Sequence, residues 1–411
     1  MALVLEGTWP YAVGGVSTWV DGLIRGLPEW RFGVVHLYAG SAPGPARLAV
    51  PPNVVWRRDL RLPNDLAAVD PARLASAVPE TALVHALSTG FAGLVAAELR
   101  RQRGVPFVLT EHGIYWHEIE QGAPELETGL RVLGEDLSDG NPCASRAGWV
   151  ARFQDYARHA YAAADLVTTV TAANRPLQAV LGLSDALVIP NGVVRPEAVS
   201  PLSAPERATL HPSAREAASV RIGFVGRVTP LKDVLTVIRA FAMFLRREPE
   251  ARLFLIGPAD DPAYAAQCDR LARFLGISGR VHRTGVQDVP RWLRLLDTVV
   301  LASRSEAEPL ALLEAMAHGV PVVAPDVGGV RALIAGGDLA PAGRVLPAPR
   351  EPGALDAALA GALATLAADP ALRAQLGDGG RQRTASRSVA AVAARYGALY
   401  GSLVDAAGDG V

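Results

Sequence analysis

At 411 residues, half of them hydrophobic and a fifth charged, the chain is too long for one ordinary hydrophobic core and points to a globular protein of two domains. Forty basic residues against 41 acidic ones leave a net charge of -1, which excludes a global electrostatic reason to bind nucleic acid or anionic lipid; an anionic ligand has to be held by local charges. No apolar run of about 20 residues could span a bilayer, and Cys143 and Cys268 lie too far apart to suggest a disulfide framework or zinc site, which fits a reducing cytoplasm.

The opening MALVLEGTWPY lacks the basic region of a signal peptide and leads directly into a buried strand. Met1 falls inside that strand, as in a trimmed N-terminus. From there short β-like apolar runs alternate with longer helical patterns, the sign of parallel sheets covered by helices. Strands are expected over 2–5, 33–37, 83–86, 107–110, 166–170 and 187–189, with helices over 16–27, 91–103 and 146–163. The stretch from Pro190 to Val220, rich in proline, serine and alanine, reads as a linker. The pattern then restarts, with strands over 221–225, 253–256, 281–283, 298–301, 322–324 and 344–346, and helices over 231–247, 264–275, 310–317, 354–368 and 389–403. Two doubly wound halves result, and a ligand is expected at the carboxyl ends of their strands, in a cleft between them.

Four places carry candidate chemistry. After the first strand, Gly14 and Gly15 open a helix, where backbone amides can approach an anion. No G-x-G-x-x-G and no P-loop pattern is present. Strand 107–110 runs into Glu111-His112-Gly113-Ile114-Tyr115, placing His112 at a strand's carboxyl end; His117 and Glu118 nearby have no recognised zinc spacing. In RIGFVGRVTPLKD, Arg227 and Lys232 lie beyond a strand and beside a helix start, two cations aimed at one corner. The strongest signal is SRSEAEPLALLEAMAHGVPVVAPDVGG. Pro309 is expected at the first helical position, Leu310 and Ala311 would offer free N–H groups to an anion, and Glu306 and Glu314 bracket seven residues so that carboxylates face hydroxyls.

In these motifs the chain resembles the family 4 retaining glycosyltransferases of GT-B fold, in particular the PelF-type branch of exopolysaccharide synthesis. EGTWPYAVGGVSTWV, TEHGIY, VIPNGV, RIGFVGRVTPLKD, IGPADDPAYAAQC and SEAEPLALLEAMAHGVPVVAPDVGG follow in order over nearly the whole chain. The resemblance implies an α/β, GT-B architecture of two Rossmann-like doubly wound domains facing a central cleft. These would be an acceptor-side domain over 1–192, with a C-terminal helix at about 386–405 packed back on it, and a donor domain over 193–385. Residue by residue it implies Gly14 and Gly15 at the donor phosphate, His112 beside the sugar and acceptor, and Arg227 and Lys232 on the diphosphate. Glu306 would meet the transferred sugar, Pro309, Leu310 and Ala311 would line the donor, and Glu314 would hold the ribose. Ala307 and the acidic Glu308 stand where the family often has glycine and a neutral residue, so Glu308 has to cap the helix or point away from the diphosphate.

The implied activity is a retaining, metal-independent hexosyl transfer from a nucleoside diphosphate sugar, UDP-glucose or a close relative, to a glycan or small-molecule acceptor. No cofactor and no metal site are expected, and peripheral association with a membrane polysaccharide-export complex is implied. Two rival readings stand beside it: a nucleotide-sugar epimerase of the same fold, and a non-catalytic nucleotide-sugar-binding subunit.

Overall fold

The computed structural model describes residues 1–122, 145–194, 220–259, 261–348 and 353–408. Most of the linker, Cys143 and most of the segment between Trp116 and Trp149 lie outside these. The described chain divides into two compact units, Met1–Gly192 with Val389–Val411, and Val193–Ser388.

The first unit is built on a parallel seven-stranded sheet in the order β3-β2-β1-β4-β5-β6-β7. Its strands are β1 (Ala2–Glu6), β2 (Phe32–Tyr38), β3 (Val54–Arg61), β4 (Val84–Ala86), β5 (Phe107–Glu111), β6 (Leu166–Thr169) and β7 (Leu187–Val188). β1 and β5 are buried along their whole length, as expected of central strands with helices on both faces. Alternate residues divide between the faces: Ala2 and Val4 join one core cluster, Leu3 and Leu5 the other. The helix Gly15–Gly26 buries Val16, Trp19, Val20, Leu23 and Ile24, a spacing that makes one apolar stripe. The chain's last helix, Val389–Gly408, adds Ala393, Tyr396 and Tyr400 to the same cluster.

The second unit carries β8 (Arg221–Val225), β9 (Arg252–Ile256), β10 (Val281–Gly285), β11 (Thr298–Val300), β12 (Val322–Pro325) and β13 (Gly343–Leu346), all parallel, in the order β10-β9-β8-β11-β12-β13. Each sheet follows the doubly wound 3-2-1-4-5-6 order, so each has a switch point where the winding reverses, between β1 and β4 and between β8 and β11. Among the described residues no single helix is long and apolar enough to cross a membrane.

Two expectations change. The helix expected over 231–247 is split: Pro230–Lys232 forms a 3-10 turn, Asp233 takes a left-handed φ of 44°, and the α-helix runs only over Val234–Phe244. Asp233 tolerates this conformation and caps the helix, accepting from the Thr236 N–H and hydroxyl. Pro309 is the N-cap of Leu310–Ala317 and not its first residue, with an extended ψ of 111°.

Candidate active site

Beyond the carboxyl ends of β8 and β11, the strands that flank the second unit's switch point, two loops meet. Gly226 leaves β8 with its N–H on the Ile256 carbonyl, and Val228 donates to Pro258. Only glycine fits at Gly257, where φ is 143° and a Cβ would stand 2.1 Å from the Gly226 oxygen. Between these anchors Arg227 is half-buried. Because Asp233 ends the 3-10 turn, Lys232 projects from a short turn of its own, and its Nζ donates to Glu306 Oε1 at 2.7 Å. The Arg304 N–H donates to the Leu231 carbonyl at 3.0 Å, a second tie between the loops. The pair is enclosed, with the Lys232 and Glu306 side chains 16% and 4% exposed.

A glycine pair supports Glu306 from below. The Gly329 N–H donates to the Ala307 carbonyl at 2.9 Å. At Gly328 φ is 51°, and a Cβ would stand 1.6 Å from the Glu306 carbonyl oxygen. After Glu306 the chain enters the helix Leu310–Ala317. Leu312 and Leu313 donate to the Pro309 carbonyl, while Leu310 and Ala311 carry amides that a helix start leaves without intrahelical acceptors. Those amides and the helix dipole favour an anion there. Glu314 lies further along the helix, half-buried, and burial pushes its carboxyl up to about 7. Glu308 does not cap the helix: its carboxylate takes a bond of 2.5 Å from Arg387 Nη1.

In the first unit, the loop after β1 is held at Tyr11, whose hydroxyl donates to Asp59 at 2.7 Å; Asp59 also meets His36 Nδ1 at 3.2 Å. Gly14 caps the following helix in extended conformation without a side-chain bond, and nothing lies within 4 Å of where its Cβ would be. His112 follows β5 and is buried. Its ring meets Trp19 edge-on with centroids 4.7 Å apart, and its Nε2 has no hydrogen-bond partner among the described residues. Burial lowers its pKa to about 4, so the imidazole is neutral at pH 7.

Reasoning from sequence missed what holds His112 in place. Glu111, the residue before it, accepts from Tyr161 (2.6 Å), Gln178 (2.7 Å) and Thr89 (3.0 Å). Glu6, at the end of β1, accepts from Tyr115 (2.7 Å), Ser88 (2.8 Å) and the Ala92 N–H (2.8 Å). Burial raises the pKa of both carboxyls against the pull of these bonds. His85 bonds Tyr400 and Thr110 at 2.7 Å each and is held neutral by burial. The available signal was a glutamate closing an otherwise apolar strand. His117 pairs with Glu120 at the surface, and no group of three or more His, Cys, Asp or Glu among the described residues is placed to hold a metal.

The two parallel-sheet units and their winding define a GT-B fold, the architecture of many glycosyltransferases. Solved structures of this shape include sucrose-phosphate synthase from Thermosynechococcus elongatus (TM-score 0.72, 22% identity, covering 99% of this chain and 100% of that one). Another is HepE of Anabaena in complex with UDP-glucose (TM-score 0.72, 19% identity, 98% and 100% covered). Residues 219–369, which lie within the second unit, match the family model "Glycosyl transferases group 1". Residues 1–65 and 64–185 match a domain of unknown function, DUF3492. Among curated relatives, a D-inositol 3-phosphate glycosyltransferase of Catenulispora acidiphila is 39% identical over 149 residues, 34% of each chain. That of Frankia alni is 30% identical over 263 residues, 60% of this chain and 58% of its own. The chain thus spans between a third and three-fifths of these two relatives' length.

Proposed function

We propose that the protein is a retaining hexosyltransferase that moves a sugar from a nucleoside diphosphate sugar, UDP-glucose or a close relative, to a glycan or other hydroxyl acceptor. The observation that carries this reading is the enclosed Lys232–Glu306 pair at the mouth of the helix Leu310–Ala317. Without donor, each partner neutralises the other. An arriving diphosphate competes for Lys232, with Arg227 and the Leu310 and Ala311 amides as further donors, and Glu306 is released to accept from the sugar's hydroxyls. Glu314 is assigned to the ribose diol, the Gly14–Gly15 amides to the phosphate, and His112 to the sugar and acceptor. A neutral His112 whose buried Nε2 has no hydrogen-bond partner among the described residues suits a hydroxyl partner better than a charged one.

In the transfer, the acceptor oxygen bonds to the anomeric carbon as the bond to the β-phosphate oxygen breaks, on the same face. The acceptor proton passes to the departing phosphate, whose growing charge is met by Arg227, Lys232 and the helix amides. No side-chain nucleophile and no divalent metal take part. The similarity to HepE with UDP-glucose supports the donor class, and the family 4 resemblance supports retention, the PelF-type branch and an exopolysaccharide role beside an export complex.

The test is incubation with labelled nucleotide sugars, with and without glycan acceptors, with and without chelator. Acceptor-dependent release of UDP, a product of retained configuration and no effect of chelator are expected. Loss of one cation, in Arg227→Ala or Lys232→Ala, should cost on the order of 2–4 kcal/mol at the transition state, a rate loss of roughly thirty- to a thousand-fold. Activity abolished by chelator and restored by metal overturns the metal-free mechanism. An epimerised donor formed without acceptor, or binding without turnover, overturns the transferase reading.

A further inference from the structure

The acidic residue beside the donor helix does not act alone. Glu308 lies two residues before Leu310, close in sequence to the amides assigned to the diphosphate, and a carboxylate there opposes a dianionic ligand. Its side chain is 7% exposed, and it is met at 2.5 Å by Arg387 Nη1, a residue 79 positions away. Arg387 is fixed in turn by its own backbone, whose carbonyl accepts from the Val193 N–H at 2.8 Å, while Ser388 forms a bridge to Val193. The guanidinium is therefore set from the pair of crossing segments where the chain enters and leaves the second unit.

We propose that Arg387 is a positioning residue for the donor: by holding and neutralising Glu308 it keeps an anion out of the diphosphate's field, and it makes donor affinity depend on the seating of the crossing segments. The proposal rests on the reading of Arg227 to Glu314 as a donor site. With Arg387 removed, the positive charge that meets Glu308 at 2.5 Å is gone, and the net change of one unit toward negative near a doubly charged group lowers affinity. With both side chains neutral the repulsion is gone, although the pair is still missing.

Arg387→Met, Glu308→Gln and the double variant are compared with wild type in the full chain, by calorimetry with UDP-glucose and with inorganic pyrophosphate, and by steady-state transfer. Arg387→Met should raise the donor Kd and KM about tenfold, the order of effect of one unit charge acting on a diphosphate at an intermediate dielectric constant, while kcat stays within about twofold. The loss should shrink as salt is raised. The double variant should return to within about threefold of wild type, and Glu308→Gln alone should bind at least as tightly as wild type. A double variant as weak as Arg387→Met, or weaker binding in Glu308→Gln, overturns the proposal and makes the pair structural only. Pyrophosphate separates this from the transferase reading: a wild type that ignores UDP-sugars but ranks the variants the same way on pyrophosphate keeps the positioning role and fails the donor assignment. No ranking on either ligand fails the positioning role.

Discussion

Glu314 is half-buried with its carboxyl raised to about 7 by burial, so the empty protein is most stable with that group protonated. Its contribution is fully present below its ordinary pKa and is lost as pH rises through about 7. Glu314→Gln, neutral at every pH, should therefore gain on wild type between pH 5 and 8 by about 1–2 kcal/mol, less than the full shift because the side chain keeps some contact with water. Urea unfolding of both proteins across that range checks this, and parallel curves would show the carboxyl to be ionised at no cost. Donor binding should also weaken in this variant if Glu314 holds the ribose. At this scale the sequence made Lys232, Glu306, His112 and the helix amides visible, because their residue types stand at strand ends and a helix start. Glu6, Glu111 and Glu308 were legible as glutamates and not as a network. Their partners lie far along the chain, Tyr115 at 109 residues and Arg387 at 79, and only folding brings them together.

Among the elements, the glycines after β12 and β1 invite a contrast. At Gly328 a methyl group would collide with the Glu306 carbonyl and take a left-handed φ, so Gly328→Ala should cost ~2–3 kcal/mol and displace Glu306, lowering transfer severely. At Gly14 the backbone is extended and the space beside it open. Gly14→Ala should change stability by under about 1 kcal/mol, while a methyl group between amides and ligand weakens donor binding. Thermal unfolding together with calorimetry on both variants decides; equal stability losses would mean that Gly14 is a folding residue. The strands that were readable are those buried on both faces, such as ALVLE and FVLTE. β3, VVWRRDLR, was not expected, because an edge strand needs only one apolar face and here carries Arg57, Arg58 and Arg61. The helix Pro370–Thr384 was missed for the opposite reason. Glycines such as Gly377 and Gly379 lower helix propensity, yet a Cβ on either would stand 2.2 Å from a carbonyl oxygen, of Gly319 and Pro341. They mark close packing, and helix propensity yields to it.

For the molecule as a whole, the alternation of strands and helices was enough to read two doubly wound halves, since that pattern repeats and admits few topologies. The first unit is closed by a helix that follows the whole second unit in sequence. Tyr396 bonds Thr110 and Thr168 at 3.0 Å each, and Tyr400 bonds His85; both rings are fully buried. A chain ending at Ser388 would leave those polar groups and the Trp19, Leu23 and Ile24 stripe uncovered. In scanning calorimetry such a chain should lose the first unit's transition, or show it at least 10 °C lower, on the order of several kcal/mol, and keep that of the second. Loss of both transitions would show that the units do not fold separately.

The same connectivity fixes an order of events at the ribosome. Everything from Val193 to Ser388 is made before the helix Val389–Gly408 emerges, a delay on the order of tens of seconds at roughly 5–20 residues per second. Throughout it the first unit presents a tryptophan-lined apolar face with nothing to cover it, while the second can fold as soon as β13 and the helices after it are out. The first half of the nascent chain is therefore the half that a chaperone would hold, and the emergence of the helix Val389–Gly408 is what releases it.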